Sequence, residues 1–135
     1  MDPQNLAYAL IQLAHNFGAV AVTGGALAAL WPPARMQRRQ IAWLVLSGWG
    51  TQAASGAGFG AVSYAGYGHL PDIHGIAIAA LTVKLACALS GFTLAGAWLR
   101  SGGGWSAARQ EAVWIALAAL GATALSAAAF LRWFS

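Results

Sequence analysis

Charged side chains are scarce in this sequence: they make up 7% of its 135 residues, whereas 59% of the residues are hydrophobic. A typical soluble domain carries about 25% charged residues, because a surface in water needs them. The composition therefore excludes a water-soluble globular domain and indicates a single integral membrane domain that covers residues 1–135.

Acidic residues are scarcer still, since the chain has only three of them, Asp2, Asp72 and Glu111. They are too few for paired acid–base catalysis or for a proton-coupled carrier. The sequence also lacks a serine–histidine–aspartate set, a phosphate loop and the CxxC, CxxCH and HExxH motifs. No catalytic residue is predicted, and the sequence favours a non-catalytic redox or accessory subunit over an enzyme.

Cysteine is nearly absent as well: Cys87 is the only one and lies in an apolar run, so no internal disulfide can form. The net charge of +4 does not indicate a nucleic-acid partner, because no basic stripe with interleaved aromatic residues occurs. The arginines lie instead at the ends of apolar runs, where they determine membrane topology.

What the sequence does contain is apolar stretches long enough to cross a hydrocarbon core, which takes about 20 residues. They predict transmembrane helices at about 6–31, 41–63, 75–99 and 111–131. The connections WPPARMQRRQ, SYAGYGHLPDIHG and RSGGGWSAARQ are short, so neighbouring helices should be antiparallel. The predicted fold is an all-α, integral membrane four-helix up-down bundle. The start, MDPQN, has no basic residue and favours a retained first helix over a signal peptide.

The arginines predict the orientation of these helices. They occur in the first and third connections, whereas the second connection has no lysine or arginine. The positive-inside rule places the first and third connections in the cytoplasm. Both termini and the second connection then face the periplasmic side of a bacterial inner membrane, with Arg132 as an exception near the outer end of the fourth helix.

Three histidines and one lysine are predicted to gather in the periplasmic half of the membrane. At about 1.5 Å per residue, His15 and Lys84 both lie roughly 13 Å below the outer ends of their helices. His69 and His74 lie above them in the second connection. Ionisable groups inside a membrane are costly and mark functional sites. All four are therefore candidate cofactor-binding residues, and the three histidines are candidate metal ligands.

Simpler interpretations remain open for each of these residues. His15 and Asn16 could make only interhelical hydrogen bonds, Lys84 could be structural, and the two loop histidines could have no specific role. The stretch SGWGTQAASGAGFG is rich in small residues. It favours close helix packing, or a bare helix face against which a flat macrocycle could lie.

Two stretches carry a family resemblance. LAHNFGAVAVTGGALAALWPP resembles the first helix of the CopD-like membrane families, and AIAALTVKLACALSGFTLAGAWLR resembles their later helix with an embedded lysine. The relatives include copper-resistance D proteins, associated with copper uptake, and HemJ-type protoporphyrinogen oxidases, which bind haem b. The resemblance covers all four helices and implies functional roles for His15 and Lys84.

Three functions follow from these patterns. The first is a haem b protein near the periplasmic face, an electron-transfer subunit of a larger membrane complex with membrane or periplasmic redox partners. His15 would be an axial ligand, His74 or His69 the second ligand or a propionate neighbour, and Lys84 and Arg132 propionate partners. The second is copper binding or transport through His69, His74, His15 and Asp72. The third is a structural subunit without a cofactor.

Overall fold

Four long α-helices make up most of the computed structural model, which describes residues 3–134. They are α1 (Pro3–Leu30), α2 (Arg38–Tyr67), α3 (Ile76–Ser101) and α4 (Ala107–Phe134). Short 3₁₀ helices, Pro32–Gln37 and Gly102–Gly104, occupy the first and third connections. No strand occurs within residues 3–134. The predicted all-α class and the number of helices are therefore confirmed.

Proline and glycine residues determine where α1 and α2 end, rather than the ends of the apolar runs. α1 ends just before Pro32 and Pro33, which lack the backbone N–H that a continuing helix needs. α2 was predicted to end near residue 63 but continues to Tyr67. It stops where Gly68 adopts a φ of 76° and its N–H bonds to the Tyr64 carbonyl, because glycine adopts this left-handed conformation without a steric cost.

Three of the four helices are long and apolar enough to cross a membrane: Pro3–Leu30, Ile76–Gly104 and Ala107–Phe134. α2 is as long, at 30 residues, but is less apolar. It begins with two arginines and carries Thr51, Gln52 and Ser55 among its glycines. The length and hydropathy of α1, α3 and α4 thus agree with the prediction of transmembrane helices.

The helices pack in a closed ring, in which each helix contacts the next and α1 contacts α4. The most extensive contacts are those within the hairpins α1–α2 and α3–α4. We call the end that holds residues 31–37 and 102–106 the arginine end. The opposite end, which holds the start of α1 and residues 68–75, is the histidine end.

The large buried side chains lie towards the arginine end. Trp49, Trp98, Trp114, Leu117 and Val45 are at most 8% exposed and belong to one apolar cluster. Towards the histidine end, residues 3–17 of α1 contain no buried residue. On α2, α3 and α4, the buried side chains between the level of Lys84 and the histidine end are small, namely Ser63, Ala77, Ala80 and Ala127. The bundle is therefore held together mainly in its arginine half.

An ion pair closes the arginine end. Arg38 is 6% exposed; its Nη2 donates to Glu111 Oε2 at 2.7 Å, and its Nε donates to the Ala29 carbonyl at 3.0 Å. The guanidinium also lies 5.9 Å from the centre of the Trp114 ring. One side chain thus joins the end of α1, the start of α2 and the start of α4.

Candidate functional site

His15 and Lys84 are in direct contact between α1 and α3. His15 Nε2 lies 2.8 Å from Lys84 Nζ, and both side chains are half-buried. The two residues come from helices that are not neighbours in the ring, so the long lysine side chain reaches across the bundle. The similar depth predicted for these residues from the sequence agrees with this contact.

α2 holds His15 from the other side. His15 Nδ1 lies 2.7 Å from Ser55 Oγ, and Ser55 is buried. The Ser55 hydroxyl bonds in turn to the carbonyl of Thr51 at 2.5 Å. Gln52 Nε2 donates to the main-chain carbonyl of His15, also at 2.5 Å. Two side chains on one turn of α2 therefore hydrogen-bond to His15, Ser55 to its ring and Gln52 to its backbone.

Aromatic rings line the histidine-end side of this site. Phe59 lies one turn beyond Ser55 on α2, and its ring meets the His15 imidazole edge-on, with centroids 5.8 Å apart. Tyr8 stacks on Phe59 at a centroid distance of 6.2 Å. The His15 ring is thus fixed by polar contacts at both nitrogens and by an aromatic edge.

The pair has no carboxylate partner among residues 3–134. Glu111 pairs with Arg38 and Arg35 at the arginine end. Asp72 pairs with His74 in the second connection, with Oδ1 3.4 Å from Nε2. Asp2 lies outside the described residues. Lys84 is thus a basic group among apolar helices whose one described side-chain partner is an imidazole.

The loop histidines do not join the pair. His69 is exposed, and its Nδ1 bonds to the Leu70 carbonyl at 2.9 Å. The His74 side chain is 80% exposed and pairs with Asp72. Within the described residues, no three histidine, cysteine, aspartate or glutamate side chains are close enough to hold a metal ion. The structure therefore brings together two of the four residues that the sequence predicted.

Two other features lie away from the pair. Arg132, predicted as a propionate partner, occupies the last turn of α4 and is exposed. An open groove of about 540 Å³ runs between α1 and α2, lined by small and apolar residues such as Gly18, Gly24 and Gly48. Neither His15 nor Lys84 lines this groove, so we do not assign it to the site.

Sequence reasoning missed the residues that hold His15. Ser55 lies in a stretch read as small-residue packing, and Gln52 was not singled out. A signal was present, because Thr51, Gln52 and Ser55 are three polar residues in mid-helix. Polar side chains in apolar helices usually bond across to another helix.

No protein-family model, no curated protein and no solved structure matches this chain.

Proposed function

We propose that this protein is a four-span integral membrane protein that binds haem b through His15 and Lys84. We further propose that it acts as an electron-transfer subunit of a larger membrane complex. The observation that carries the proposal is the 2.8 Å contact between the two side chains, with no carboxylate beside them in the described part of the chain.

The surface of the helices supports a membrane location. In an apolar 18-residue stretch of each of α1, α3 and α4, at most 28% of the residues are buried. Large apolar side chains are exposed on every one of the four helices, for example Leu10, Leu44, Leu89 and Ile115. Such a surface is stable against lipid hydrocarbon and not against water. α2 would cross the bilayer as part of the bundle, with its polar side chains turned to α1.

The donor set suits a ligand that carries both a metal and an anion. An imidazole nitrogen is the commonest axial ligand of haem iron, and a lysine ammonium pairs well with a carboxylate. Haem b carries an iron and two propionates in one molecule, so it would give His15 and Lys84 one partner each. When bound, it would supply one-electron chemistry at its iron.

The aromatic neighbours suit the same ligand. Phe59 and Tyr8 offer flat apolar surface next to His15, of the kind that a porphyrin ring contacts. Because only His15 among the histidines lies at the pair, the donor set fits a haem with a single imidazole from this chain. His69 and His74 are left without a ligand role in this proposal.

Copper, the alternative, has less support from the geometry. A copper ion at His15 would lie beside the Lys84 ammonium with no described carboxylate to offset the repulsion between like charges. The remaining imidazoles are dispersed along an exposed connection. A copper site would need those histidines to move towards His15.

The visible spectrum of the purified protein tests the proposal. We expect a Soret band that shifts on reduction with dithionite. His15→Leu should lose the band, whereas the matched change His74→Leu, in the exposed connection, should keep it. A colourless protein that holds copper by elemental analysis would overturn the haem proposal. A colourless protein without metal would leave the structural subunit as the better interpretation.

We also propose that the arginine end faces the cytoplasm and the histidine end the periplasm, in a bacterial inner membrane. Arg35, Arg39, Arg100 and Arg109 are all exposed near the arginine end, as the positive-inside rule requires. Single cysteines at Met36 (94% exposed) and Leu70 (63% exposed) in a Cys87→Ala background test this. An impermeant thiol reagent added to intact cells should label position 70 and spare position 36. The reverse pattern would refute the orientation.

A further inference from the structure

We infer that Ser55 is a positioning residue: it holds His15 in the neutral tautomer with the proton on Nδ1, which turns the lone pair of Nε2 towards Lys84. This inference deepens the proposed function and rests on it for the role of the lone pair. The tautomer itself follows from three hydrogen bonds in the protein.

The first step is the direction of the Ser55 hydroxyl. Ser55 Oγ lies 2.5 Å from the Thr51 carbonyl oxygen and 3.3 Å from that of Gln52. A carbonyl oxygen only accepts hydrogen bonds, and a hydroxyl has one proton. The proton of Ser55 is therefore directed to the main chain of its own helix, and its oxygen is left as an acceptor.

The second step is the His15 ring. Nδ1 lies 2.7 Å from this acceptor oxygen, so Nδ1 carries a proton and donates. A neutral imidazole has one N–H, and Nε2 is then the acceptor. Its neighbour at 2.8 Å is Lys84 Nζ, which as an ammonium only donates. Each of the three contacts thus joins one donor to one acceptor.

The third step excludes the charged ring. An imidazolium would place an N–H donor on Nε2 opposite the Lys84 ammonium, so two donors and two positive charges would lie 2.8 Å apart. Two facing N–H donors cannot hydrogen-bond to each other, whereas a lysine N–H and an unprotonated Nε2 can. The contact therefore joins a lysine donor to a neutral imidazole acceptor.

This arrangement prepares His15 for a metal centre. A histidine that binds a metal through one nitrogen usually donates its other N–H to an acceptor in the protein, and that contact fixes the ring and its tautomer. Ser55 provides this acceptor, and Gln52 holds the backbone of the same residue. Ser55 acts only through His15, so its role is positioning.

The experiment reads the tautomer directly in the protein without haem. In a His69→Gln, His74→Gln background, His15 is the only histidine, and both changed residues are in the exposed connection. Nitrogen-15 NMR of histidine-labelled protein in detergent should show a protonated Nδ1 and an unprotonated Nε2. Ser55→Ala should lose this preference and populate the Nε2–H tautomer, and Ser55→Thr, which keeps the hydroxyl, should restore it.

The matched control is Ser63→Ala. Ser63 is also a buried serine of α2, but its hydroxyl bonds to the His69 carbonyl at 3.2 Å, so its loss should leave the His15 resonances unchanged. A parent spectrum with the proton on Nε2 would overturn the inference. So would a Ser55→Ala protein that keeps its helical circular dichroism and its original tautomer.

Haem binding gives the second readout. Loss of the partner that orients a metal-binding histidine typically weakens metal binding by roughly 10–100-fold, and we expect Ser55→Ala to weaken haem binding to this extent. If no variant binds haem and the tautomer is as stated, the proposed function fails and the role of Ser55 in orienting His15 stands. If haem binds through His15 and Ser55→Ala changes neither affinity nor tautomer, the positioning role fails and the haem proposal stands.

Discussion

Replacing Gly91 by alanine should destabilise the bundle, because there is no room for a methyl group at this position. Gly91 is buried in α3, and a Cβ built on it would overlap the indole ring of Trp49 on α2. Trp49 is only 2% exposed and packs within the apolar cluster. The ring cannot move aside without displacing other core residues, so the two helices must separate.

The magnitude follows from two opposing effects. Alanine favours a helix interior over glycine by about 0.5–1 kcal/mol, whereas overpacking a core costs about 1–3 kcal/mol. Gly50→Ala is the matched control, since Gly50 lies next to Trp49 in α2 and a Cβ there would meet nothing within 4 Å. Both variants share the gain in helix propensity. Their difference in unfolding free energy should therefore report the overlap alone, about 1–3 kcal/mol.

Reversible unfolding in mixed micelles of detergent and dodecyl sulfate, followed by circular dichroism, measures this difference. Gly91→Ala should unfold at a lower mole fraction of dodecyl sulfate than the parent, and Gly50→Ala at an equal or higher one. Equal stability of the two variants would refute the packing described between α2 and α3 at Trp49.

Two further predictions concern charged residues. Arg38→Met should lower the thermal midpoint of unfolding more than Arg35→Met does, although both arginines pair with Glu111. The side chain of Arg38 is 8% exposed and that of Arg35 is 55% exposed. Exposed ion pairs contribute little to stability, whereas breaking a buried pair is costly. Equal effects of the two changes would contradict this ranking. Lys84→Met should keep the Soret band but weaken haem binding by roughly 10–100-fold, because a hydrogen bond to a charged group contributes about 1.5–3 kcal/mol. Unchanged affinity, measured by haem titration, would remove Lys84 from the proposed site.

The helices themselves could be predicted from local sequence. An apolar run of sufficient length forms a helix because the helix satisfies every backbone hydrogen bond within the run, and Pro32 and Pro33 mark the end of α1 wherever the rest of the chain lies. The predicted end of α2 was less accurate, because hydropathy falls at residue 63 whereas the helix continues to Tyr67, just before Gly68. A helix can continue past its apolar segment when no residue stops it.

The candidate site was predictable in part. Counting residues from the helix ends placed His15 and Lys84 at a similar depth, since the rise per residue is constant. The count could not give the rotation of each helix about its axis. Nor could it separate these two residues from His69 and His74, which the sequence places nearby but the structure leaves on an exposed connection.

The sequence by itself therefore determined how many helices form and which ionisable residues within them are candidates for a functional site. Only the tertiary structure decided that His15 meets Lys84 on one side and Ser55 on the other. The physical reason is that backbone hydrogen bonds are local, whereas helix rotation depends on which side chains fit between helices. Here that fit includes the contact of Gly91 with Trp49, about two helical turns from Lys84 along α3.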